Sequence, residues 1–441
     1  MLDDLLDDWR ANYQPVFDGV RVIGHQWSAD GHRVRDFLSR NLIPYRWLDI
    51  ETDKEAAELR ALAGAEQPLP LVLLSDGTVM SRPAIPELAE RIGLHTRAVS
   101  ETYDLIVVGT GPAGLAAAVY GASEGLRVLL IEREAPGGQA GTSSSIENYL
   151  GFPVGLSGAD LARRAVAQAR RFGAEILTPM EAVKLETRDG YHVITLSNGS
   201  MVAAQALIVA TGVSYRLLDV PGAERLAGAG LFYGAAISEA LAVKDQVVFV
   251  IGAGNSAGQA AVYLSRYAKS VTMLVRGAAL ADSMSSYLVE RIGEIENLQV
   301  RTNAAIVELH GEQTLEAISI RQTEANSIAR EPARGVFVFI GAEPRTEWLA
   351  GALQLDPQGF ILAGTNLTRD DNGRVHGWPL KREPHWLETS VPGIFVAGDV
   401  RRTSTKRIAS AVGEGAMALT FVHQHLRSPP SAQPPVEPAK G

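Results

Sequence analysis

Gly109-Thr110-Gly111-Pro112-Ala113-Gly114 carries glycines at the spacing that brings a polypeptide backbone against a pyrophosphate. The first glycine permits a tight turn, the second lets phosphate oxygens approach the main chain, and the third lets a helix lie close to a strand. A phosphate seated there meets the positive N-terminus of that helix. Glu132, 18 residues past Gly114, is spaced to accept hydrogen bonds from a ribose hydroxyl. The grammar returns at Gly252-Ala253-Gly254-Asn255-Ser256-Ala257. The strand after it, VTMLV, ends without an acid and is followed by Arg276. A guanidinium can pair with a 2′-phosphate that a carboxylate would repel, so this second site favours NADPH over NADH. Taken singly, each glycine is also an ordinary turn residue and Arg276 an ordinary solvated one.

Context selects the binding reading. YDLIVV reads as a buried strand, the first glycines open a helix, and RVLLIE reads as a second strand ending on the acid. DQVVFVI, the second glycine run and VTMLV repeat that order. Upstream, RVIGH, YRWLDIE and PLVLLSD read as strands, separated by helices over Gly31 to Asn41 and Lys54 to Ala63. A turn at Asp76-Gly77 and a helix from Pro86 to Ile92 complete a βαβαβ-type unit. The polar stretch HTRAVSE then bridges to Tyr103, and the Pro-rich 428–441 reads as a disordered tail.

Composition removes several classes of function. Net charge is −9 with no Lys/Arg-rich run, which leaves a nucleic-acid partner without an electrostatic footprint. No apolar stretch approaches the roughly 20 residues of a membrane span, and MLDDLLDDWR is acidic where a secretory signal is basic, so the expected compartment is the cytoplasm. The histidines show no metal-binding spacing and no metal site is expected. The chain has 0 Cys, which excludes disulfides, thiolate metal ligands and thiol catalysis within it.

Further segments carry a resemblance. GGQAGTSSSIENYLGFP (137–153), IVATG (208–212), VFVFIGAEPRT (336–346) and PGIFVAGDV (392–400) followed by KRIASAVGEGAMA resemble, in order, the motifs of the thioredoxin reductase family. The resemblance implies an α/β fold of two Rossmann-like, three-layer ββα nucleotide-binding domains, one inserted in the other, at 102–215 with 336–427 (FAD) and at 216–335 (NAD(P)). It places FAD contacts on Gly109, Gly111, Pro112, Ala113, Gly114, Glu132, Gly138, Gln139, Asn148, Thr211, Gly212, Gly398, Asp399, Arg407, Ile408 and Ala409. NADPH contacts fall on Gly252, Gly254, Asn255, Ser256, Ala257 and Arg276. The family's cluster of arginines for the 2′-phosphate is reduced here to Val275-Arg276-Gly277, with Ala281 at the downstream position. A homodimer is also implied.

The family's Cys-x-x-Cys falls on Ala235 and Ser238, with its acid on Glu239. Neither replacement can undergo disulfide exchange, which requires attack by a thiolate. Glu239 reads either as a proton donor near the flavin or as a helix-surface carboxylate. Residues 1–97 resemble a glutaredoxin or thioredoxin-fold domain in which Ser28-Ala29-Asp30-Gly31 stands at the dithiol and Pro70 at the cis-proline. Such a domain would dock a small redox protein, pack a dimer, or serve as inert scaffold. The extension from Gly364 to Glu383 carries Trp378, with Trp386 just beyond it, and both indoles are expected to pack it onto the flavin domain. The implied activity is FAD-dependent NAD(P)H oxidation by a protein not competent as a conventional thioredoxin reductase. Electrons would pass from the flavin directly to a non-dithiol or partner-borne acceptor, such as a ferredoxin, flavodoxin, quinone, oxygen or partner disulfide. The alternative is a flavin-bound sensor or interaction protein with a degenerate NADP site.

Overall fold

The structure, a computed structural model, describes residues 19–427 apart from 65, 144, 145, 147, 234–239, 241, 324 and 325. Ala235, Ser238, Glu239 and the 428–441 tail lie outside the described residues. Two compact units divide between residues 88 and 89.

In the first unit a four-stranded sheet runs β2-β1-β3-β4, from β1 (Val20–Gly24), β2 (Tyr45–Asp49), β3 (Leu71–Leu73) and β4 (Val79–Ser81). β1 and β2 are parallel, as a βαβ crossover requires, whereas β3 and β4 are antiparallel to their neighbours. The βαβαβ order is present, but the third strand runs antiparallel and a fourth follows the Asp76-Gly77 turn, where Thr78 N donates to Asp76 Oδ1 at 2.8 Å. A strand of three residues has too few alternations to show in a sequence pattern. Helix α1 (Ala29–Arg40) starts at Ser28, whose hydroxyl accepts the amide of Gly31. It buries Gly31, Val34, Phe37 and Leu38, one helical stripe. Helix α2 (Lys54–Ala63) packs Ala56 against Ile23, Leu48 and Leu71. The Leu69–Pro70 bond is cis, the isomer implied by the thioredoxin-fold resemblance. Helix α3 (Ile85–Arg91) contains the division between units.

The HTRAVSE bridge is stitched to the second unit rather than free. His95 O accepts from Thr178 N at 3.0 Å, and Glu175 accepts from the Val99 amide at 2.9 Å and pairs with the His95 ring at 2.8 Å. The compact division therefore falls ahead of the HTRAVSE bridge and of the domain boundary expected at residue 97.

The second unit repeats one three-layer plan. Its first sheet runs β7-β6-β5-β10-β9-β8, from β5 (Thr102–Val108), β6 (Val128–Ile131), β7 (Glu175–Leu177), β8 (Ala182–Arg188), β9 (Tyr191–Leu196) and β10 (Met201–Val209). β10 pairs β9 along its first half and β21 (Ile394–Val396) along its second, so a strand from far along the chain completes the sheet. Alternation on β5 separates two cores. Leu105 and Val107 face helices α4 (Pro112–Ser123), α5 (Gly158–Arg171) and α8 (Ile408–Arg427), while Ile106 and Val108 face the β8-β9 meander. α8 buries Ala411, Glu414, Gly415, Ala418, Leu419, Val422 and His425, a stripe at helical spacing.

The second nucleotide sheet is parallel, in order β12-β19-β13-β14-β15, from β12 (Leu231–Phe232), β13 (Val247–Ile251), β14 (Ser270–Leu274), β15 (Leu298–Arg301) and β19 (Gly335–Val338). Helix α6 (Asn255–Leu264) follows β13 and α7 (Ser286–Gly293) follows β14. An antiparallel sheet of β16 (Ala304–His310), β17 (Ala317–Gln322) and β18 (Ser327–Pro332) shares a core with Phe249, Ile251, Val336 and Val338. The crossings between the two sheets are β11 (Val213–Tyr215) and β20 (Ala342–Pro344), which pair antiparallel.

Candidate functional site

The first glycine turn leaves β5 at Val108 and enters α4 at Pro112, a residue suited to the first helical position because its missing N–H would have no helical partner. Gly109 has φ +103, and a Cβ there would overlap the Ala210 carbonyl, so only glycine fits. A Cβ on Gly114 would likewise overlap the carbonyl of Gly109, which is the close helix-to-strand packing expected of the third glycine. Gly111 is the helix N-cap and stays open; the nearest atom to a Cβ there is the Gly138 Cα at 4.0 Å. Gly138 lies in a short helical turn, Gly138–Gly141, tied to the glycine turn by Gly137 N donating to Thr110 O at 2.9 Å. Glu132 lies just past β6. Its Oε2 accepts the Thr110 amide at 3.0 Å and the Thr110 hydroxyl at 2.6 Å, and its Oε1 accepts the Glu134 amide at 3.0 Å.

Distant segments converge on this turn. Ala210 and Thr211 line it through the close approach of Gly109. Gly398, at φ +79, faces Ala113: a Cβ on Gly398 would stand 3.0 Å from the Ala113 Cβ and 3.7 Å from that of Ala411 on α8. The fold thereby gathers residues 109–114, 138, 210–211 and 398 with the start of α8, where Ile408 and Ala409 follow Arg407. Gln139 sits in the Gly138–Gly141 turn, Gly212 is open at φ +62, and Asn148 is on an exposed loop.

These residues fit a flavin dinucleotide. Thr211 Oγ1 and Ser404 Oγ are buried side-chain atoms with no protein partner, one in the turn after β10 and one just ahead of α8. Burial raises the pKa of the Asp399 carboxyl, an effect the nearby Lys406 ammonium opposes and Glu414 reinforces. Lys406 is in turn lowered, chiefly by burial; its Nζ donates to Asp399 O at 2.7 Å and lies 4.6 Å from the centre of the Phe360 ring. Lys406, Thr110 and Glu414 were not among the residues predicted from sequence. The only signal for Glu414 was an acid inside the apolar stripe of the last helix.

The second turn is built alike. Gly252 has φ +139, and a Cβ there would overlap the Phe339 carbonyl, whereas Gly254, the N-cap of α6, has nothing within 4 Å. Ala257 is buried under the turn and Ser256 is exposed. Asn255 is engaged by protein: its Oδ1 accepts the Ser285 amide at 2.8 Å and hydroxyl at 3.1 Å, while Ser283 Oγ donates to Ala253 O at 2.9 Å. Arg276 is exposed two residues beyond β14, and Ala281 offers no second cation.

The extension is anchored by charge. Arg382 reaches both oxygens of the fully buried Glu388, at 2.6 and 2.8 Å, and Glu388 also accepts the amides of His385 and Gly393. Trp378 packs on Leu362, Leu367 and Val375, as expected. Trp386 departs from expectation: it is 47% exposed, with the Arg401 guanidinium over its ring.

Two nucleotide folds, each with a parallel core and one threaded through the other by a paired crossing, define the architecture of the pyridine-nucleotide flavoproteins. Residues 103–415 match the family described as pyridine nucleotide-disulphide oxidoreductase, and the chain belongs to that family as a thioredoxin reductase-like, FAD-dependent oxidoreductase. A thioredoxin reductase of Streptomyces clavuligerus is 32% identical over 342 residues, covering 77% of this chain and 99% of the relative. The crystal structure of Lactococcus lactis thioredoxin reductase in the FR conformation superposes with a TM-score of 0.65 at 27% identity, covering 74% of this chain and 99% of that one. T. acidophilum thioredoxin reductase gives the same TM-score and identity over 75% and 100%. Thioredoxin reductase homologues use FAD and NADPH.

Proposed function

We propose that this protein is an NAD(P)H oxidoreductase whose bound FAD delivers electrons directly to an acceptor outside the chain's own thiol chemistry. One observation carries the reading: cysteine is absent from all 441 residues, so no internal dithiol can receive electrons from the flavin. FAD supplies the hydride acceptor and the electron donor. The chain's residues bind and orient. Gly109, Gly111, Pro112, Ala113 and Gly114 cradle the pyrophosphate, Glu132 takes the ribose, and Gly138, Gln139, Asn148, Thr211 and Gly212 line the ring and its approach. Gly398 and Asp399 hold the ribityl chain. Arg407, Ile408 and Ala409 open α8, whose positive end stabilises negative charge on the reduced ring.

NADPH is the preferred donor, bound through Gly252, Gly254, Asn255, Ser256 and Ala257, with Arg276 on the 2′-phosphate. The flavin domain comprises 102–215 and 336–427 and the nicotinamide domain 216–335. The first unit is a thioredoxin-fold domain without its dithiol, a reading supported by its strand order and directions. It docks a small redox protein. The working form is a cytoplasmic homodimer.

The test is anaerobic addition of NADPH or NADH to the FAD-loaded protein while following the flavin band near about 450 nm. Rapid bleaching is expected, faster with NADPH. If neither nucleotide bleaches the band, the oxidoreductase reading fails and the flavin-bound sensor with an eroded 2′-phosphate site takes its place.

A further inference from the structure

A carboxylate is costly to bury unless it is both paired and hydrogen-bonded. Glu414 is buried in the second turn of α8, at 7% exposure, and meets both conditions. Its Oε2 accepts the Gly398 amide at 2.8 Å and Arg401 Nε at 3.2 Å, and its Oε1 accepts Arg401 Nη2. Arg401, 5% exposed, closes the same turn through its amide, which donates to Gly398 O at 3.0 Å, and its Nη1 donates to Arg402 O at 3.0 Å. The four residues Gly398 to Arg401 are thus pinned at both ends to one side chain of α8.

That turn carries Asp399 and brings Gly398 against Ala113 of the phosphate-binding helix. The hydrogen bond that satisfies the buried carboxylate is taken from the Gly398 amide, and the charge of Glu414 is felt at both Asp399 and Lys406. From the far side, Arg401 forms a β-bridge with Ile361 and covers the Trp386 indole, so the segments flanking the extension are tied to the same turn.

We infer that Glu414, with Arg401, is the positioning residue of the flavin site: it holds the Gly398 amide, and through it the direction in which Asp399 is presented. The inference rests on Asp399 contacting the flavin. Glu414 itself need not touch the cofactor.

The experiment measures FAD affinity by titrating apoprotein, alongside thermal unfolding without FAD. Glu414→Ala is expected to bind FAD at least about tenfold more weakly, the loss of one charge-assisted hydrogen bond. Glu414→Gln in the Arg401→Met background, where the amide oxygen still accepts the Gly398 N–H and no guanidinium faces the amide NH2, is expected to recover affinity to within about threefold of wild type. The pair Arg401→Met with Glu414→Met replaces a buried ion pair by apolar groups of similar length, so it keeps the fold while losing FAD affinity as the alanine variant does. It decides the question if the alanine variant does not fold. Wild-type affinity in the alanine or double-methionine protein overturns the inference, as does a glutamine variant as weak as alanine. Asp399→Ala separates the two layers: if it binds FAD like wild type, the assignment of Asp399 is at fault and Glu414 has no flavin residue to position.

Discussion

Gly415 of α8 lies against the carbonyl of Ala113 in α4 so closely that a Cβ on it would overlap that oxygen. The two helices that converge on the flavin site are therefore held together by the absence of a side chain. Gly415→Ala should force α8 away and destabilise the protein by about 2 kcal/mol, the cost of overpacking. Gly413, two residues earlier, has nothing within 4 Å, and alanine there should stabilise the helix by up to about 1 kcal/mol. Thermal unfolding of the two variants checks this, and equal effects would show that the crossing is looser than described.

Glu132 and Thr110 lead to a second expectation. The carboxylate proposed to take the ribose also holds the glycine turn through the Thr110 amide and hydroxyl. Glu132→Ala should lose both functions and weaken FAD binding more than about tenfold, whereas Thr110→Val, which keeps the amide bond, should lose less. FAD titration of the apoproteins ranks them. The reverse order would place the effect in the hydroxyl rather than the ribose.

How much of this was legible in sequence follows from the physics of each element. Gly109, Gly114, Gly252 and Gly398 were readable because each backbone demands glycine, and a demand for one residue type leaves a mark. The strand-helix periodicity of the second unit was readable because each element buries one face, as β5 does between two cores. Glu414 carried one mark, an acid within the apolar stripe of α8, but its partners Gly398 and Arg401 approach through tertiary folding and left no mark in the sequence. β4 was hidden by its length, and the exposure of Trp386 by a guanidinium contributed from 15 residues away.

Arg276 is the cation at the end of β14, with Ala281 where a second would help. Arg276→Ala should therefore cut kcat/KM for NADPH by about tenfold or more and leave NADH nearly unchanged, since only NADPH carries the phosphate. Steady-state kinetics with both nucleotides settle it. An equal loss for both would assign Arg276 to the adenosine or to the fold instead.

The Arg382–Glu388 pair anchors the extension. Arg382→Met would leave the buried Glu388 charge with only backbone partners and should cost about 3–5 kcal/mol, far more than removal of a surface pair. Replacing both, Arg382→Met with Glu388→Gln, should recover much of that loss. A single variant as stable as wild type in thermal unfolding would mean that water reaches Glu388.

His192 and His425 meet at one α-carbon: a Cβ on Gly393 would lie 2.9 Å from His192 Nε2 and 2.5 Å from His425 Nε2. Burial lowers the pKa of His192 to about 4, with the neighbouring His425 adding to the depression and the Pro392 backbone opposing it. Burial likewise lowers His425, where Glu388 and the Gln205 backbone act in the opposite direction and Arg382 and His385 in the same one. An imidazole whose folded pKa lies below its unfolded value binds fewer protons when folded, so acid favours the unfolded chain. The stabilisation is complete above the unfolded value near 6.5, is lost as pH falls from there to about 4, and changes no further below that. For His192 alone the loss is on the order of 3 kcal/mol. His192→Phe, similar in size and unable to titrate, should flatten the fall in unfolding temperature between pH 6.5 and 4.5 while costing about 1 kcal/mol at pH 7.5 through the lost Thr187 hydrogen bond. If the mutant and wild-type curves remain parallel across that window, the acid sensitivity belongs to other groups and the His192 imidazole is reached by water.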